Sequence, residues 1–246
     1  MSDAEPAADV IVDQPTDGVV RLTLNRPKAR NALSFTVWEG LAGALDQLER
    51  ETPPRALILS GAEGYFSAGG DIKSPPARGD GAFHRVARVE LAQRVIQRIR
   101  AFPAPTIAAI EGGAIGLAWS LALACDMVVC ASNARFQAPF AKLGIVPDGG
   151  LAWFLTRRLG RYRASEILIS GRIVDAAEAM SAGLVTRLAD PGQAMASALE
   201  LATAPEPGSR KAVELIKRQV NLAESADLAS FNAAELAYAH ITQVER

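Results

Sequence analysis

Short apolar runs separated by polar or glycine-rich stretches predict a mixed α/β chain. Residues 19–25 alternate apolar and polar side chains, and residues 56–60, 107–110 and 127–131 are short apolar runs. Runs of this length that are bounded by turn-forming residues are typical of strands, and continuous ones are typical of strands buried on both faces. The pattern therefore predicts several short, buried strands.

Longer segments repeat apolar residues at helical spacing. Residues 34–50 and 83–101 predict amphipathic helices, whereas residues 117–125 are apolar almost all round and predict a buried helix. Residues 74–81 combine turn formers with few core residues and predict a mobile loop. In the helix over 83–101, the residues predicted to face inward are Val86, Val89, Ile96 and Ile99. Three further helices are predicted near the C-terminus, over residues 193–203, 209–222 and 226–243.

Two glycine-rich turns carry the clearest chemical information. Residues 66–73 read Phe-Ser-Ala-Gly-Gly-Asp-Ile-Lys, and residues 105–116 end in Glu-Gly-Gly-Ala-Ile-Gly. Each turn follows a predicted strand and offers backbone N–H groups where a helix is expected to begin. Two such turns can face one oxygen atom, and donors aimed at developing negative charge contribute roughly 3 kcal/mol each when water is excluded. The alternative is that the glycines only permit tight turns.

The composition predicts one globular domain with a helical appendage. The chain has 246 residues, of which 49% are hydrophobic, and this is enough for one sizeable core. With 26 basic and 27 acidic residues its net charge is −1, which provides no field to attract nucleic acid or an anionic membrane. Any anionic ligand must therefore be bound by a local cluster of cations.

The cysteines and the N-terminus favour a reducing, cytoplasmic location. Cys125 and Cys130 both lie in an apolar run, which argues against a disulfide framework. Residues 1–6 are polar and lack the basic and apolar regions of a secretory signal. No apolar stretch approaches the roughly 20 residues of a membrane span. We therefore expect a soluble protein that does not contact a membrane.

Several motifs, in the same order, resemble those of the crotonase (enoyl-CoA hydratase/isomerase) superfamily. The resemblance begins at residues 22–33 and includes both glycine turns and residues 124–126. It continues to residues 170–172 and 182–185. Any one glycine turn would be a weak signal, but the ordered series is a specific one.

The resemblance implies a fold and an assembly. The expected fold is a crotonase-like α/β spiral of ββα repeats over residues 10–190, which holds an acyl-CoA site. Residues 191–246 are expected to form a C-terminal helical oligomerisation region, shorter than usual, that packs as a homotrimer or as a dimer of trimers. In the family, the region that corresponds to residues 74–81 is a variable lid over the acyl pocket.

The resemblance also implies the site residues. The backbone N–H groups of Gly70 and Leu117 match the two donors that the family aims at the thioester oxygen of an enolate. Arg30 and Lys73 match basic positions that meet the phosphates of coenzyme A, although each could be only an exposed surface cation. The full set of residues matched to coenzyme A or substrate is Arg30, Ala68, Gly70, Asp71, Ile72, Lys73, Leu117, Ser120 and Phe140. No cofactor is implied, because coenzyme A is part of the acyl-CoA thioester substrate, and the sequence has no Cys/His metal spacing.

The chain departs from the hydratases of this superfamily at both catalytic carboxylates. Those enzymes use two glutamates, whose positions fall on Ser120 and Phe140 here. A serine without a basic partner is a poor general base at neutral pH, and phenylalanine does not titrate. Ordinary syn-hydration of an enoyl-CoA is therefore disfavoured, and Ser120 is expected to bond to a backbone carbonyl one turn earlier.

One carboxylate remains in the right neighbourhood, that of Asp148 before two glycines. Some double-bond isomerases of the superfamily resemble this segment and have an aspartate that faces the acyl carbons. An allylic proton shift needs only one base that removes and returns a proton. The prediction is thus an enoyl-CoA double-bond isomerase with Asp148 as its acid and base. The alternative is that Asp148 only caps the helix that is predicted over residues 151–158.

Other functions stay open at this point. Without a working base, the same motifs would give a non-catalytic protein that binds acyl-CoA. A hydratase or dehydratase could use another carboxylate such as Glu111, although that residue also suits a salt bridge or a turn. Dehalogenases of the superfamily add a histidine where this chain has Gln93, and His84 lies more than two turns upstream.

Overall fold

The structure is a computed structural model that describes residues 8–73, 83–204 and 209–244. The polar tail, the loop predicted over residues 74–81 and the side chain of His84 lie outside this described part. Within it, strands and helices alternate along the chain as the hydrophobic pattern predicts.

The strands of the described chain form two sheets. They are β1 (Val10–Thr16), β2 (Val19–Leu24), β3 (Ala56–Gly61), β4 (Thr106–Ile110), β5 (Gly113–Ile115), β6 (Met127–Ala131), β7 (Arg135–Gln137), β8 (Ile173–Asp175) and β9 (Arg187–Ala189). The main sheet has the order β1, β2, β3, β4, β6, β9, and the small sheet has the order β5, β7, β8. In the main sheet β1 is antiparallel to β2, and all other neighbours are parallel.

Helices connect these strands and cover the main sheet. They are α1 (Phe35–Arg50), α2 (Phe83–Ala101), α3 (Leu117–Leu123), α4 (Leu151–Ser170), α5 (Ala176–Ser181), α6 (Ala194–Thr203), α7 (Arg210–Ala223) and α8 (Leu228–Val244). The Ser34 side chain caps α1 by accepting a hydrogen bond from the N–H of Val37. α4 continues through Gly160, whose φ of 73° and ψ of 168° are not helical, so this helix bends there.

Successive side chains of the parallel strands point to opposite faces of the main sheet, so the apolar core has two parts. Leu57 and Leu59 of β3 point into the larger cluster, to which α1, α2, α3 and α4 contribute. Ile58 lies on the opposite face, where it belongs to a second cluster with Ala194 and Ala198 of α6. Because the central strands are buried on both faces, they appear in the sequence as continuous apolar runs.

The predicted helix over residues 83–101 is present with the same bounds, but its buried face differs. Val86 is exposed, whereas Ala92 and Val95 are buried together with the predicted Ile96 and Ile99. The reason is that, among the described side chains of α2, the core contacts begin at Leu91. The described residues before it make other contacts, which matter for the site described below.

The C-terminal helices differ in how they pack. α6 lies on the main sheet, whereas α7 buries only Leu215 and Lys217. Lys217 Nζ lies 2.7 Å from a carboxylate oxygen of Asp126 and ties α7 to the end of α3. α8 packs against α7 and leaves Leu228 and Leu236 more than half exposed. No helix in the described ranges combines the length and the apolar character that a membrane crossing requires.

Candidate active site

Two backbone loops meet beyond the ends of β3 and β4. The N–H of Ser67 donates to the carbonyl oxygen of Gly113 at 3.1 Å, and the N–H of Ile115 donates to the carbonyl oxygen of Ser67 at 3.2 Å. The hydroxyl of Ser67 also donates to the carbonyl oxygen of Asn31 at 2.7 Å. The two glycine turns and the N-terminal motif therefore form one hydrogen-bonded unit.

Two backbone N–H groups in this unit are left without acceptors. Neither Gly70 N–H nor Leu117 N–H donates a hydrogen bond within the described residues. Leu117 is the first residue of α3, where the N–H has no partner inside the helix. Gly69 has a φ of +91°, and a Cβ there would lie 2.4 Å from the carbonyl oxygen of Ile115 and 3.8 Å from Leu117 N. The two turns thus touch, and only glycine fits at this contact.

A cavity of about 430 Å³ joins these two donors to Asp148. It falls in the range of roughly 300 to 1,000 Å³ that is usual for small-molecule sites. The predicted site residues that line it are Ala68, Gly70, Asp71, Ile72, Lys73, Leu117, Phe140 and Asp148. Lys28, Arg88, Leu143 and Ile145 line it as well. The structure therefore gathers around one space residues that are up to 120 positions apart in sequence.

Two residues that were predicted to contact the ligand do not line this cavity. Arg30 is exposed, and its guanidinium carbon lies 5.8 Å from the centre of the Tyr65 ring. Ser120 is fully buried beneath the cavity wall. A contact of Arg30 or Ser120 with bound coenzyme A or substrate stays a prediction.

The side chain of Asp148 does not cap α4, so the capping alternative is wrong. The N-cap of α4 is Gly150, with a φ of 82°, and no side chain accepts a hydrogen bond there. Asp148 Oδ1 is buried and has no hydrogen-bond partner among the described residues. Burial raises the pKa of the Asp148 carboxyl above its usual range, while its own backbone N–H and the charge of Arg88 act in the opposite direction.

Ser120 binds a different carbonyl from the one predicted. Its hydroxyl donates to the backbone carbonyl oxygen of Asp148 at 3.0 Å, and not to a carbonyl one turn earlier in α3. The reason is that the turn containing Asp148 and Gly149 packs directly on α3. A Cβ on Gly149 would lie 3.0 Å from Ser120 Cβ.

The carboxylate of Asp71 is part of the first glycine turn. It accepts a hydrogen bond from Arg26 Nη1 at 2.8 Å and another from the N–H of Lys73 at 3.0 Å. The side chain is almost completely buried. The same Arg26 nitrogen donates to the carbonyl oxygen of Ala32 at 2.8 Å. This charge-assisted network fixes the turn that carries Gly70.

Arg88 is a cavity residue that the sequence analysis did not identify. Its Nη1 donates to the carbonyl oxygen of Asp71 at 2.8 Å, and its positive charge lowers the pKa of the Asp148 carboxyl against the effect of burial. It therefore contacts one glycine turn and acts on the acidic residue across the cavity. Nothing in the sequence separates it from the other arginines of α2, because the distinction depends on the packing of that helix.

Glu111 has a structural partner away from the cavity. Its two carboxylate oxygens accept hydrogen bonds from the N–H groups of Gly192 and Ala194, at 3.0 and 2.9 Å. These groups lie at the N-terminal end of α6, where a negative charge is favourable. Because Glu111 does not line the cavity, the structure gives no support to its role as a replacement base.

Comparison with known proteins agrees with this geometry. A family model described as enoyl-CoA hydratase/isomerase matches residues 14–245. Enoyl-CoA hydratase EchA19 of Mycobacterium tuberculosis is 34% identical over 230 residues, which are 91% of this chain and 84% of the relative.

Solved structures give the same result for the fold. An enoyl-CoA hydratase from Polaromonas has a TM-score of 0.88 at 34% identity, covering 93% of this chain and 89% of that one. An enoyl-CoA hydratase from Bacillus anthracis has a TM-score of 0.89 at 31% identity, with 94% of this chain and 90% of that one covered. These similarities confirm the predicted crotonase-like α/β fold. The chain belongs to the enoyl-CoA hydratase/isomerase family.

Proposed function

We propose that this protein isomerises the double bond of an enoyl-CoA thioester through an enolate. The observation that carries the proposal is that Asp148 Oδ1 is buried and shares a cavity with the N–H groups of Gly70 and Leu117, all three without a hydrogen-bond partner among the residues that the structure describes. The Asp71 carboxylate also lines the cavity, but it accepts hydrogen bonds from Arg26 and from the N–H of Lys73 within the first glycine turn. One side of the cavity can thus stabilise an oxyanion, and the other holds the Asp148 carboxylate. An allylic proton shift requires these two elements.

The reaction follows from the placement of these groups. The thioester oxygen accepts hydrogen bonds from the N–H groups of Gly70 and Leu117. Asp148 removes a proton from the α carbon of a 3-enoyl-CoA, and the negative charge spreads onto the thioester oxygen of the resulting dienolate. The same carboxyl then returns the proton to the γ carbon, which leaves the double bond conjugated with the thioester.

The environment of Asp148 suits a base that must also act as an acid. Burial raises the pKa of its carboxyl, which makes the carboxylate a stronger base than an exposed one. Arg88 acts in the other direction, so that ionisation remains accessible. A carboxyl whose pKa moves toward the working pH is efficient in both directions of proton transfer.

Hydration is less well supported by the same cavity. Addition of water requires one group to activate the water and another to deliver its proton. At the two positions of the usual glutamates the chain has Ser120, which is buried outside the lining, and Phe140, which lines the cavity without titrating. The hydratase names of the relatives describe those proteins, and here they support acyl-CoA chemistry in general.

The test is turnover of a 3-enoyl-CoA by the wild type and by Asp148→Asn. We expect the wild type to isomerise the substrate and to exchange its α or γ protons for solvent deuterium, while hydrating crotonyl-CoA poorly. Asp148→Asn should lower isomerisation by about 10² to 10⁴, the usual contribution of a positioned acid or base. Acyl-CoA affinity, measured by calorimetry, should stay nearly unchanged.

Three results would contradict the proposal. If the wild type exchanges no protons across a panel of enoyl-CoA substrates yet binds acyl-CoA tightly, the protein is a non-catalytic binder. If Asp148→Asn retains wild-type turnover, the base lies elsewhere. Rapid hydration of crotonyl-CoA by both proteins would identify a hydratase that uses another group.

A further inference from the structure

We infer that helix α3 positions the acidic residue, with Leu117 and Ser120 acting as positioning residues for Asp148. The inference rests on the proposed function, since it concerns how the proposed base is held relative to the proposed oxyanion donors. It assigns a role to two side chains of α3, of which Ser120 falls at the position that the resemblance matches to a hydratase glutamate.

The first contact is the hydrogen bond from Ser120. Its hydroxyl donates to the backbone carbonyl oxygen of Asp148 at 3.0 Å, and the side chain is fully buried. The same carbonyl accepts the N–H of Leu151 at 3.2 Å, at the beginning of α4. The backbone of Asp148 is therefore held from α3 on one side and from α4 on the other.

The second contact is the packing of Gly149 on α3. A Cβ at Gly149 would lie 2.4 Å from Leu117 Cδ1, 2.8 Å from Ile96 Cδ1 and 3.0 Å from Ser120 Cβ. Gly149 also has a φ of +60°, which a glycine adopts without strain. The turn thus lies directly on the side chains of Leu117 and Ser120, and a glutamate at position 120 would have to displace it.

These backbone contacts decide where the carboxylate lies. Asp148 Oδ1 has no hydrogen-bond partner in the described part of the chain, and beyond its own backbone N–H the side chain has no direct tether there. Its position must therefore follow from that of the turn. A base that is misplaced by about 1 Å can lose about 10²-fold in rate.

Leu117 connects the base to the oxyanion site. Its backbone N–H is one of the two unused donors, and its side chain is the nearest neighbour of Gly149. Ser120 lies three residues later on the same short helix, so both fall on one face of α3. Helix α3 therefore links one of the two oxyanion donors to the turn that carries the carboxylate.

The test compares Ser120→Ala with Ser60→Ala as a matched control. Ser60 is another buried serine whose hydroxyl has a side-chain partner, Thr23 at 3.3 Å, and it lies outside the cavity. We expect Ser120→Ala to lower kcat for isomerisation about 10- to 100-fold with little change in KM. Ser60→Ala should retain the wild-type kcat.

A second pair of variants separates positioning from folding. Leu117→Ala retains the backbone N–H but removes the side chain beneath Gly149, whereas Leu117→Met largely retains the volume. We expect Leu117→Ala to have a lower kcat than the wild type and Leu117→Met to retain most of the wild-type kcat. Equal kcat for both variants and the wild type would overturn the inference.

A titration gives a measurement that does not depend on turnover. Selective ¹³C labelling of aspartate carboxyls, with the Asp148 signal identified by its loss in Asp148→Asn, reports the pKa of this group directly. We expect Ser120→Ala to move that pKa toward the ordinary value, because a loosened turn admits water, and Ser60→Ala to leave it unchanged.

Failure of the positioning inference and failure of the isomerase proposal would give different results. If Ser120→Ala matches the wild type in kcat and in the titration of Asp148, positioning by α3 is wrong while the isomerase proposal stands. If the wild type shows no isomerisation but Ser120→Ala still shifts the Asp148 titration, the isomerase proposal fails and positioning by α3 is supported.

Discussion

At the residue scale, burial and the positive charge of Arg88 act on the pKa of Asp148 in opposite directions. The surrounding protein disfavours the charged carboxylate, whereas the guanidinium of Arg88 favours it. A base must be ionised to accept a proton, yet a strongly acidic group would accept it poorly. Arg88 therefore helps to determine the pH above which Asp148 is ionised and can act as a base.

This balance predicts the pH profile of Arg88→Gln. Removal of the positive charge should raise the pKa of the Asp148 carboxyl further, so the acid limb of kcat/KM for isomerisation moves to higher pH. Below that limb the variant loses activity because less of the carboxyl is ionised, and well above it the two profiles approach each other. Initial rates measured across the acidic and neutral range report this shift.

Two variants control for the other contact of Arg88. Arg88→Lys retains the charge and loses the geometry of the hydrogen bond to the Asp71 carbonyl, so its acid limb should stay closer to that of the wild type. Arg94→Gln removes an exposed cation from the same helix, outside the cavity. An acid limb that is identical in Arg88→Gln and the wild type would show that Arg88 does not act on the base.

Some site residues could be predicted from sequence and others could not. Gly70 and Leu117 act through their backbone, so the glycine turns and the start of α3 indicate them without knowledge of side-chain packing. The bond from Ser120 to Asp148 spans 28 residues, and the contact of Arg88 with Asp71 spans 17. Such pairs depend on how elements pack, which local patterns do not determine.

At the element scale, Glu111 connects the end of β4 to the N-terminus of α6. Both of its carboxylate oxygens are occupied by backbone N–H groups of that end. α6 covers the second face of the main sheet, so this contact helps to hold a helix whose apolar face is made largely of alanines. A catalytic role for Glu111 was an open alternative from the sequence. Its hydrogen bonds to α6 instead predict a role in stability.

We therefore expect Glu111→Ala to lower stability rather than to remove activity. Loss of the charged acceptor leaves two backbone N–H groups without their partner and should reduce the free energy of unfolding by about 1 to 3 kcal/mol. Glu111→Gln, which retains one acceptor oxygen, should lose less. Urea denaturation measures the change, and turnover of the folded variants should equal that of the wild type.

Unchanged stability with loss of activity would instead support a catalytic role for Glu111. If Glu111→Gln unfolds at the wild-type urea concentration but turns over no enoyl-CoA, Glu111 takes part in the chemistry. Loss of stability with retained activity supports the structural role.

Longer elements were in general easier to predict than short ones, with one exception. β1 has seven residues but was not predicted, because this edge strand is mostly exposed and ends in polar residues and a proline. The four predicted strands and the predicted helices are long enough for the spacing of their apolar residues to be recognised, and all are present. β5, β7, β8 and β9 have three residues each, too few for any alternation to be visible. α4 extends to Ser170, beyond the predicted end near residue 158, because the chain resumes helical geometry after the bend at Gly160.

At the scale of the whole molecule, apolar side chains of α7 and α8 are exposed in the described chain. The side chains that are more than half exposed are Ile216, Val220, Leu228 and Leu236. Within the described chain α8 packs against α7. Apolar side chains grouped in this way are typical of an interface between subunits. The sheet and its two core clusters, by contrast, bury their apolar residues within one chain.

We therefore expect a homotrimer, or a dimer of trimers, in which α7 and α8 contact neighbouring copies. Light scattering at micromolar concentration should give the mass of three or six chains. Val220→Glu combined with Leu236→Glu should lower that mass, because charges would be buried without partners at the interface. Glu235→Gln, next to Leu236 and also exposed, is the control that should leave the mass unchanged. A monomeric wild type would contradict the prediction, and an unchanged assembly in the double variant would place the interface on another surface.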